Sequence, residues 1–563
     1  MKHRDWEIGG YDRDAAVSLY RSGINPLSAV FLASRGFTDV AEARRLLGEG
    51  ETETFDPFLL TDMDKAVKRI EAALERGERI AVYGDYDVDG MTSCAVLALW
   101  LRSRNADYQI YIPGRLDEGY GLNRAALDLL KSRGVDLIIT VDCGITGIGE
   151  AEYARELGFG LIITDHHECR NRLPAADAVI DPKRLDCGYP YKSLAGVGVA
   201  FKLVCALERD ADREELLDRC CDLVAIGTIA DVMPVVGENR EFIKRGLKLL
   251  RDAPRPGLRS LLRDSGSEPG KITTETVGYL LAPRLNAAGR MGCPDLSVEL
   301  LLTEDAKTAD ALTAELCRLN TQRRVMELEI LGQAASMLPE TVADEPIVLA
   351  RQGWHQGVTG IVAAKISERH CVPAIVISID GNGVGRGSCR SYGTFKIYDA
   401  LKTCEDILDN YGGHDMAAGI TLMEKNIDEL RGRIAAYYRA HGCSADAVGL
   451  AVDFVVEKPQ LLTVPNVGAI GKLEPFGPGF PTPRLCLKDA LVLSAYTIGS
   501  GKHARLRIGK GKASFDCVCF GKSAEELGVA DGMAIDAAFE PQINDYRGRS
   551  SVQLMLLDIK VID

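Results

Sequence analysis

The sequence predicts an α/β protein with a parallel sheet, followed at its C-terminal end by a small all-β domain. Apolar, β-branched runs at residues 79–84, 136–141 and 161–164 alternate with helical stretches, and each run is apolar at nearly every position. Strands that are buried on both faces have this pattern, because helices cover both sides of a parallel sheet. Beyond about residue 450, short strand-like runs lie between turn clusters, which is typical of a small barrel.

Two further segments connect these parts. Residues 305–338 are rich in Ala, Leu, Glu and Arg and contain no glycine before Gly332, which predicts a long connecting helix. A second α/β section begins at residue 346 and continues to about residue 440. The predicted domains are an N-terminal segment (1–48), a first α/β domain (49–304), a connecting helix (305–342), a smaller α/β domain (343–445) and the β-rich domain (446–563).

The charge balance limits the classes of function. The chain has 563 residues, of which 46% are apolar and 26% charged, a composition typical of globular proteins rather than disordered ones. Its 67 basic and 81 acidic residues give a net charge of −14. Coating nucleic acid or an anionic membrane needs an excess of Lys and Arg. The net charge therefore excludes broad coating, but it leaves a local binding site possible.

The ends of the chain and its cysteines indicate where the protein works. The first seven residues lack the apolar stretch of a secretory signal, and the densest apolar run, residues 94–101, is too short to span a bilayer. The sixteen cysteines contain no C-x-x-C pair, which argues against a zinc site and favours buried thiols in a reducing compartment. We therefore expect a cytoplasmic protein without a membrane segment.

Three aspartates follow the first predicted strand. Asp85, Asp87 and Asp89 occupy alternate positions, so on extended backbone their side chains would project to one side. Carboxylates that converge without a cation repel each other, so the alternatives are a solvated loop and a divalent metal site. The pattern also opens an EF-hand loop, but Val96 stands where the bidentate Glu belongs and a strand precedes the motif. A helix is predicted to follow at residues 92–101.

The next strands also end in metal-binding residue types. Asp142 follows the second strand, and Asp165, His166 and His167 follow the third. Ligands gather at the carboxyl ends of parallel strands, so these side chains are expected at one edge of the sheet. Asp231, which ends an apolar stretch, is a fourth candidate. A mixture of Asp and His suits Mn²⁺ or Mg²⁺ better than a metal that prefers thiolates.

Several motifs together resemble the DHH phosphoesterase superfamily and, within it, the RecJ family of bacterial exonucleases that act on single strands. The resemblance runs from about residue 50 to the C-terminus. The motifs lie at residues 83–90, 141–144, 165–167, 229–234, 283–291, 354–365, 387–391 and 412–414. Two positions depart from the family pattern: Gln356 stands where Pro is usual, and Phe480 where Asn is commoner.

The resemblance implies a fold and a metal site. The fold is a DHH domain and a DHHA1 domain that together clamp the active site, followed by an OB-fold. One or two Mn²⁺ or Mg²⁺ ions would be held by Asp85, Asp87, Asp89, Asp142, His166 and Asp231. His167 would contact the scissile phosphate, so His167, Asp165 and Asp142 form the expected catalytic set.

Other residues are candidates for contacts with the substrate. Gly-rich residues 387–391 offer hydroxyl groups and a guanidinium that suit a phosphate. The candidates for binding phosphate or substrate are Arg115, Arg284, His355, Ser388, Arg390, Ser391 and His414. In the β-rich tail, residues 501–512 carry five Lys or Arg and no acid, and Lys502, Arg505 and Arg507 would contact nucleic acid. The pattern leaves open whether Tyr496, Phe515 and Tyr546 stack on bases or pack in the core.

The leading hypothesis from the sequence is an exonuclease that digests single-stranded DNA from the 5′ end in recombination and repair. The DNA preference and the polarity come from the resemblance alone, as do the expected partners, a helicase and a single-strand-binding protein. A monomer is expected. The alternatives are a phosphodiesterase for cyclic dinucleotides or very short oligonucleotides, which would lack the β-rich tail, and a scaffold protein with a decayed site, which the complete ligand set disfavours.

Overall fold

The computed structural model describes residues 5–50, 54–115, 118–119, 121–170, 172–209, 213–252, 254–338, 345–441 and 449–562. The chain forms two compact units. One consists of Glu53–Ala445, and the other combines Met1–Thr52 with Asp446–Asp563. The predicted boundary between the connecting helix and the smaller α/β domain, at 342–343, lies outside the described residues.

Over its described residues, from Asp5 onward, the N-terminal segment forms one short strand and three helices. Asp12, Asn25 and Asp39 precede the helices, and their side chains accept hydrogen bonds from the first-turn amides. The elements are β1 (Trp6–Ile8), α1 (Arg13–Arg21), α2 (Pro26–Ser34) and α3 (Val40–Leu46).

A five-stranded sheet in the order β3-β2-β4-β5-β6 is the centre of the larger unit. All of its pairings are parallel, which confirms the predicted sheet. Alternate residues of β2 pack into hydrophobic cores on opposite faces of the sheet. Ile80 and Val82 belong to one core, and Ala81 and Tyr83 to the other. The strands are β2 (Ile80–Tyr83), β3 (Tyr108–Tyr111), β4 (Leu137–Val141), β5 (Gly160–Thr164) and β6 (Ala178–Ile180).

Helices cover both faces of this sheet and continue beyond it. Those within the sheet region are α4 (Met63–Arg76), α5 (Val88–Ser103), α6 (Arg124–Ser132) and α7 (Ile148–Glu156). Those after it are α8 (Gly196–Leu207), α9 (Arg213–Ala230), α10 (Gly237–Asp252), α11 (Pro256–Asp264), a π-helix (Thr276–Leu281), α12 (Ala282–Arg290), α13 (Asp295–Leu302) and the long connecting helix α14 (Ala306–Met337).

The second lobe of this unit is a mixed sheet in the order β10-β11-β9-β8-β7. β7 and β8 are parallel and the other pairs are antiparallel. Its strands are β7 (Ile347–Gln352), β8 (Ala374–Ile379), β9 (Val384–Arg390), β10 (Asn410–His414) and β11 (Ala417–Met423). Its helices are α15 (Gln356–His370), α16 (Ile397–Lys402) and α17 (Ile427–His441).

The C-terminal part is a closed barrel. The sheet order is β13-β14-β15-β16-β18-β17, and a further pairing of β14 with β17 closes it. The expectation of short strands is wrong here, because β14 and β18 have 14 residues each. β14 can pair on both sides because its register shifts, once between Leu487 and Ala490 and once between Val492 and Ser494. The elements are β12 (Leu450–Val452), β13 (Phe454–Val455), α18 (Val464–Gly471), β14 (Leu485–Ile498), β15 (His503–Lys510), β16 (Ala513–Cys519), α19 (Ala524–Leu527), β17 (Ala534–Tyr546) and β18 (Arg549–Ile562).

Both ends of the chain contribute to the barrel unit. β1 pairs in parallel with β12, and the indole of Trp6 donates a hydrogen bond to Asp558 at 3.0 Å. Phe480, one of the two departures from the family pattern, is buried and packs edge-on against Phe31 and Phe37. The aromatic side chain at that position therefore belongs to the core that joins the N-terminal segment to the barrel.

No helix within the described ranges is both long enough and apolar enough to cross a membrane. The fifteen cysteines that fall in these ranges are free thiols, and ten of them are buried.

Candidate metal centre and phosphate site

The carboxyl ends of three adjacent strands deliver the first metal-site candidates. Asp85 follows β2 by two residues, Asp142 directly follows β4, and Asp165 with His166 directly follows β5. Since β2, β4 and β5 are parallel neighbours, these side chains meet at one edge of the sheet. Asp142 has a positive φ of 60°, which turns the chain away from the sheet at this point.

Asp87 and Asp89 reach the same edge in a different way from the predicted one. The chain does not stay extended after β2, because α5 begins at Val88, four residues before the predicted helix. The Asp87 side chain caps this helix by accepting a hydrogen bond from the Gly90 amide at 3.1 Å. Asp89, inside the first turn, accepts from the amides of Gly196 and Val197, at 2.7 and 2.9 Å. The expected strand alternation of the three aspartates is therefore wrong, and a helix start brings them together.

The candidate ligands form three overlapping groups. In each group the potential ligand atoms lie within 4.8 Å of one another. The Nε2 atom of His166 is 3.1 Å from Asp142, 3.6 Å from Asp231 and 3.8 Å from Asp89. The groups are Asp85, Asp87 and Asp142; Asp89, His166 and Asp231; and Asp142, His166 and His167. Asp142 and His166 each belong to two of these groups, so the three groups form one continuous cluster.

The electrostatics of this cluster fit a divalent cation. Burial, and then the neighbouring carboxylates, raise the pKa of Asp85, Asp89 and Asp142 well above the usual range. Burial and Asp87 raise the pKa of Asp231 to about 7. Asp85 Oδ1 is buried and has no hydrogen-bond partner among the described residues. Repelling carboxylates with an unsatisfied oxygen are stabilised when a bound cation offsets their charge, and Asp and His donors suit Mn²⁺ or Mg²⁺.

Asp165 and His167 form a pair beside the metal candidates. Asp165 accepts hydrogen bonds from the Ile145 amide at 2.9 Å and from His167 Nδ1 at 2.7 Å. Burial alone would raise the pKa of Asp165, but the hydrogen bond from His167 and the charges of the two histidines lower it to about 2. In the same way, burial lowers the pKa of His167, but Asp165 raises it to about 9. Asp165 therefore holds His167 in its protonated form at neutral pH. The ring of His414 stacks 6.2 Å from that of His167.

A cluster of arginines lies near the metal candidates, since the charge of Arg115 acts on Asp85 and that of Asp87 acts on Arg290. Burial, followed by Arg115, Arg323 and Arg390, lowers the pKa of Arg290 to about 9, so these four guanidinium groups repel one another. Arg290 donates a hydrogen bond to the Gly357 carbonyl at 3.1 Å. We call Arg115, Arg290, Arg323 and Arg390 the arginine cluster. Such a concentration of guanidinium groups suits a phosphate, which accepts several charge-assisted hydrogen bonds at once.

Two serines of the second lobe differ in how available they are to a phosphate. The Ser388 hydroxyl lies 3.1 Å from that of Thr359, next to Arg390 on β9. The Ser391 hydroxyl instead donates to the Phe395 carbonyl and is buried. His355 precedes α15, and burial lowers its pKa.

Arg284 does not join the arginine cluster. Its side chain donates to the Leu280 carbonyl at 2.7 Å and lies 3.7 Å from Asp264. Arg290 and Arg323, in contrast, were missed by the sequence analysis. The signal for Arg290 was its place at the end of the 283–291 motif, directly after a glycine. Arg323 lies on a regular helix, where it pairs with Glu327 four residues on, and nothing in the sequence marks it.

The basic segment of the barrel forms an exposed face with aromatic side chains. Tyr496 on β14 is paired directly with Arg505 on β15, so the two side chains share one face. Tyr496 is 48% exposed and Phe520 is 64% exposed, whereas Phe515 is buried. Phe520, missed by the sequence analysis, packs against the ring of His503 at 5.2 Å.

The other predicted basic residues lie on or beside this face. Arg507 donates to the Ser514 hydroxyl at 3.2 Å and lines a groove of about 320 Å³ together with Asp516 and Ser551. Lys502 is exposed in the turn before β15. Tyr546, at the end of β17, is 63% exposed.

The fold and the site together define a phosphoesterase of the DHH class. Residues 79–228 match the DHH family N-terminal domain, residues 330–440 the DHHA1 domain, and residues 452–558 the RecJ OB domain. The chain is 40% identical over 560 residues to the single-stranded-DNA-specific exonuclease RecJ of Bacillus subtilis, covering 99% of this chain and 71% of that protein. The chain belongs to the RecJ family of single-stranded-DNA-specific exonucleases.

Solved structures agree with this assignment. RecJ from Thermus thermophilus in complex with Mn²⁺ has a TM-score of 0.84 at 30% identity, covering 99% of this chain and 80% of that one. The same protein in complex with Mg²⁺ has a TM-score of 0.79 at 29% identity, covering 99% and 79%.

Proposed function

We propose that this protein is a metal-dependent exonuclease that hydrolyses the phosphodiester bonds of single-stranded DNA from the 5′ end, in recombination and repair. One observation carries the proposal: a carboxylate and histidine cluster that fits divalent ions lies beside the arginine cluster in the same unit. The first provides for hydrolysis of a phosphodiester, and the second for recognition of a terminal phosphate. Membership of the RecJ family supports the choice of single-stranded DNA.

The metal ligands in this proposal are Asp85, Asp87, Asp89, Asp142, His166 and Asp231. A divalent ion held by these residues would supply Lewis acidity for hydrolysis of the phosphodiester. Burial, and next the charge of His167, lower the pKa of His166 to about 3, so its ring is neutral and can bind a metal. Mn²⁺ and Mg²⁺ both fit this donor set, with one or two ions bound.

His167 is the proposed acid of the reaction. With a pKa raised to about 9, it carries a proton at neutral pH, and its Nδ1 is held by Asp165. We propose that the protonated ring stabilises charge on the scissile phosphate or protonates the leaving oxygen. His414 and His355 of the second lobe are proposed to contact the substrate.

The 5′-terminal phosphate would bind at the arginine cluster. A phosphate monoester carries up to two negative charges, which would offset the repulsion between Arg290 and the neighbouring arginines. Arg115, Arg290, Arg390 and Ser388 are the proposed contacts. Ser391, whose hydroxyl is engaged with the Phe395 carbonyl, would shape the turn that carries them. Within the barrel unit, the face that carries Lys502, Arg505 and Arg507 is proposed to bind single-stranded DNA.

The proposal extends to the setting in which the enzyme works. The role of the family in DNA processing supports a cytoplasmic location, with a helicase and a single-strand-binding protein as partners. We propose that the enzyme acts as a monomer, since both the metal site and the arginine cluster are built from a single chain.

The test is Mn²⁺-dependent digestion of single strands labelled at the 5′ or the 3′ end, with duplex and cyclic dinucleotide as control substrates. We expect label to be released first from the 5′ end, and D142A and H166A to abolish digestion with unchanged circular dichroism. The control variant D64A, at an exposed position on α4, should digest normally. Release of 3′ label first, or preference for the cyclic dinucleotide, would contradict the proposal.

A further inference from the structure

Tyr86 lies between two metal-site candidates and beneath an arginine of the arginine cluster. It separates Asp85 from Asp87 in the chain, and the guanidinium carbon of Arg115 lies 4.9 Å from the centre of its ring. The ring of Tyr86 also packs against the buried core beside the sheet, so one side chain contacts both the core and the guanidinium.

The backbone around Tyr86 is held from two sides. A Cβ atom at Gly289 of α12 would lie only 2.0 Å from the Tyr86 carbonyl oxygen, so the two backbones are in direct contact. At Gly90 a Cβ atom would lie 2.5 to 2.7 Å from the backbone of Asp85. Tyr86 therefore occupies a fixed place relative to the aspartates on either side of it.

Arg115 needs such a support. It lies in the segment after β3, outside any helix or strand, and a long arginine side chain loses rotamer entropy when it is immobilised. Stacking on a fixed aromatic ring places the planar guanidinium before the ligand arrives. The repulsion between Arg115 and its neighbours Arg290 and Arg390 would otherwise drive it away from the arginine cluster.

We propose that Tyr86 is a positioning residue, which fixes the guanidinium of Arg115 and thereby sets the 5′-terminal phosphate at a defined place relative to the metal centre. This inference rests on the proposed function. Because the same short loop carries Asp85, Asp87 and the ring beneath Arg115, recognition of the chain end and the metal site are built from one element. Loss of the ring weakens selection for a phosphorylated end without removing the metal ligands.

The experiment compares single strands with a 5′-phosphate or a 5′-hydroxyl, labelled at the 3′ end, in Mn²⁺. For Y86L we expect KM for the phosphorylated strand to rise about three- to tenfold, with kcat changed less than about twofold. The preference for phosphorylated ends, as the ratio of kcat/KM values, should fall by the same factor. Y86F keeps the ring and should restore that preference. Y86M serves as the second ring-free variant if Y86L does not fold.

Two controls separate positioning from a general structural effect. Y153L removes another ring, on α7, whose centre lies 4.9 Å from the guanidinium carbon of Arg124 on α6, and should keep the wild-type preference. In an R115A background, Y86L should have no additional effect on KM, because Tyr86 acts through Arg115.

Three results would overturn the inference: an equal effect of Y86L on both kinds of end, a full additional effect in the R115A background, or a changed Mn²⁺ concentration for half-maximal activity. These results are distinct from failure of the proposed function, in which the wild-type protein itself does not shorten single strands.

Discussion

The metal candidates illustrate a conflict between stability and function at the scale of single residues. Three of the aspartates are buried, and burial, followed by the neighbouring carboxylates, raises the pKa of each. A carboxyl group whose pKa is higher in the folded chain than in the unfolded chain favours folding when protonated, and opposes it when charged. In their charged form, these side chains therefore lower the stability of the metal-free protein. A bound divalent ion offsets their charge and restores that stability.

This conflict predicts how the stability of the metal-free protein depends on pH. With a chelator present, the melting temperature should be higher at pH 6 than at pH 8, because the raised pKa of Asp231, about 7, makes the folded state take up protons as pH falls. At pH 8, D142N should melt higher than the wild type without metal. Mn²⁺ at 100 times its dissociation constant should stabilise the wild type by about 2.7 kcal/mol, and D142N by much less. Calorimetry with and without chelator checks this, and a metal-free protein that is more stable at pH 8 would contradict it.

At the scale of elements, the site depends on how closely helices approach the loop after β2. The sequence was sufficient to predict the parallel sheet and the acids at its strand ends, because both follow from residue type and order along the chain. It was not sufficient to predict that α5 begins at Val88 or that Arg290 and Arg323 join Arg115. Those arrangements depend on contacts between helices distant in sequence, which periodicity does not report.

Gly289 is the residue at which α12 contacts the loop after β2, at the backbone of Tyr86. The substitution G289A should lower kcat by about 100-fold, because the added methyl group would displace the Tyr86 carbonyl and with it Asp85 and Asp87. The matched control is G332A on α14, where a Cβ atom would meet nothing within 4 Å. That substitution should leave activity unchanged and raise stability by about 0.5 to 1 kcal/mol. Comparable kcat values for the two variants in the digestion assay would show that the close approach is unimportant.

The barrel face leads to a prediction about binding rather than catalysis. Y496A and F520A should each weaken binding of a long single strand about five- to 100-fold, because both rings are exposed beside the basic strand and can stack on bases. R505A and R507A should instead reduce the dependence of affinity on salt. Fluorescence anisotropy at several salt concentrations measures both effects, with F515A as a buried control that should act through stability alone. Unchanged affinity in both aromatic variants would place the strand elsewhere.

The molecule as a whole is arranged differently from a simple series of domains along the chain. The sequence analysis treated the first 48 residues as a separate segment, whereas the structure places Met1–Thr52 in one compact unit with Asp446–Asp563. Nothing in local pattern reports this, because the contacts join residues more than 400 positions apart. Arg35 pairs with Asp453, and Asn25 donates a hydrogen bond to Asn466 at 2.9 Å.

This arrangement predicts that the barrel needs the N-terminal segment to fold. Residues 446–563 produced alone should lack a cooperative melting transition, because Phe480 and Asp453 lose the partners that bury and pair them. Joining residues 1–52 to that fragment through a flexible linker should restore the transition, and R35A should weaken it, since Asp453 is then left buried without its charge partner. Circular dichroism on the three proteins makes the comparison. A cooperative transition at the same temperature in the fragment alone would show that the barrel folds independently, and that the pairing of β1 with β12 only attaches the N-terminal segment to it.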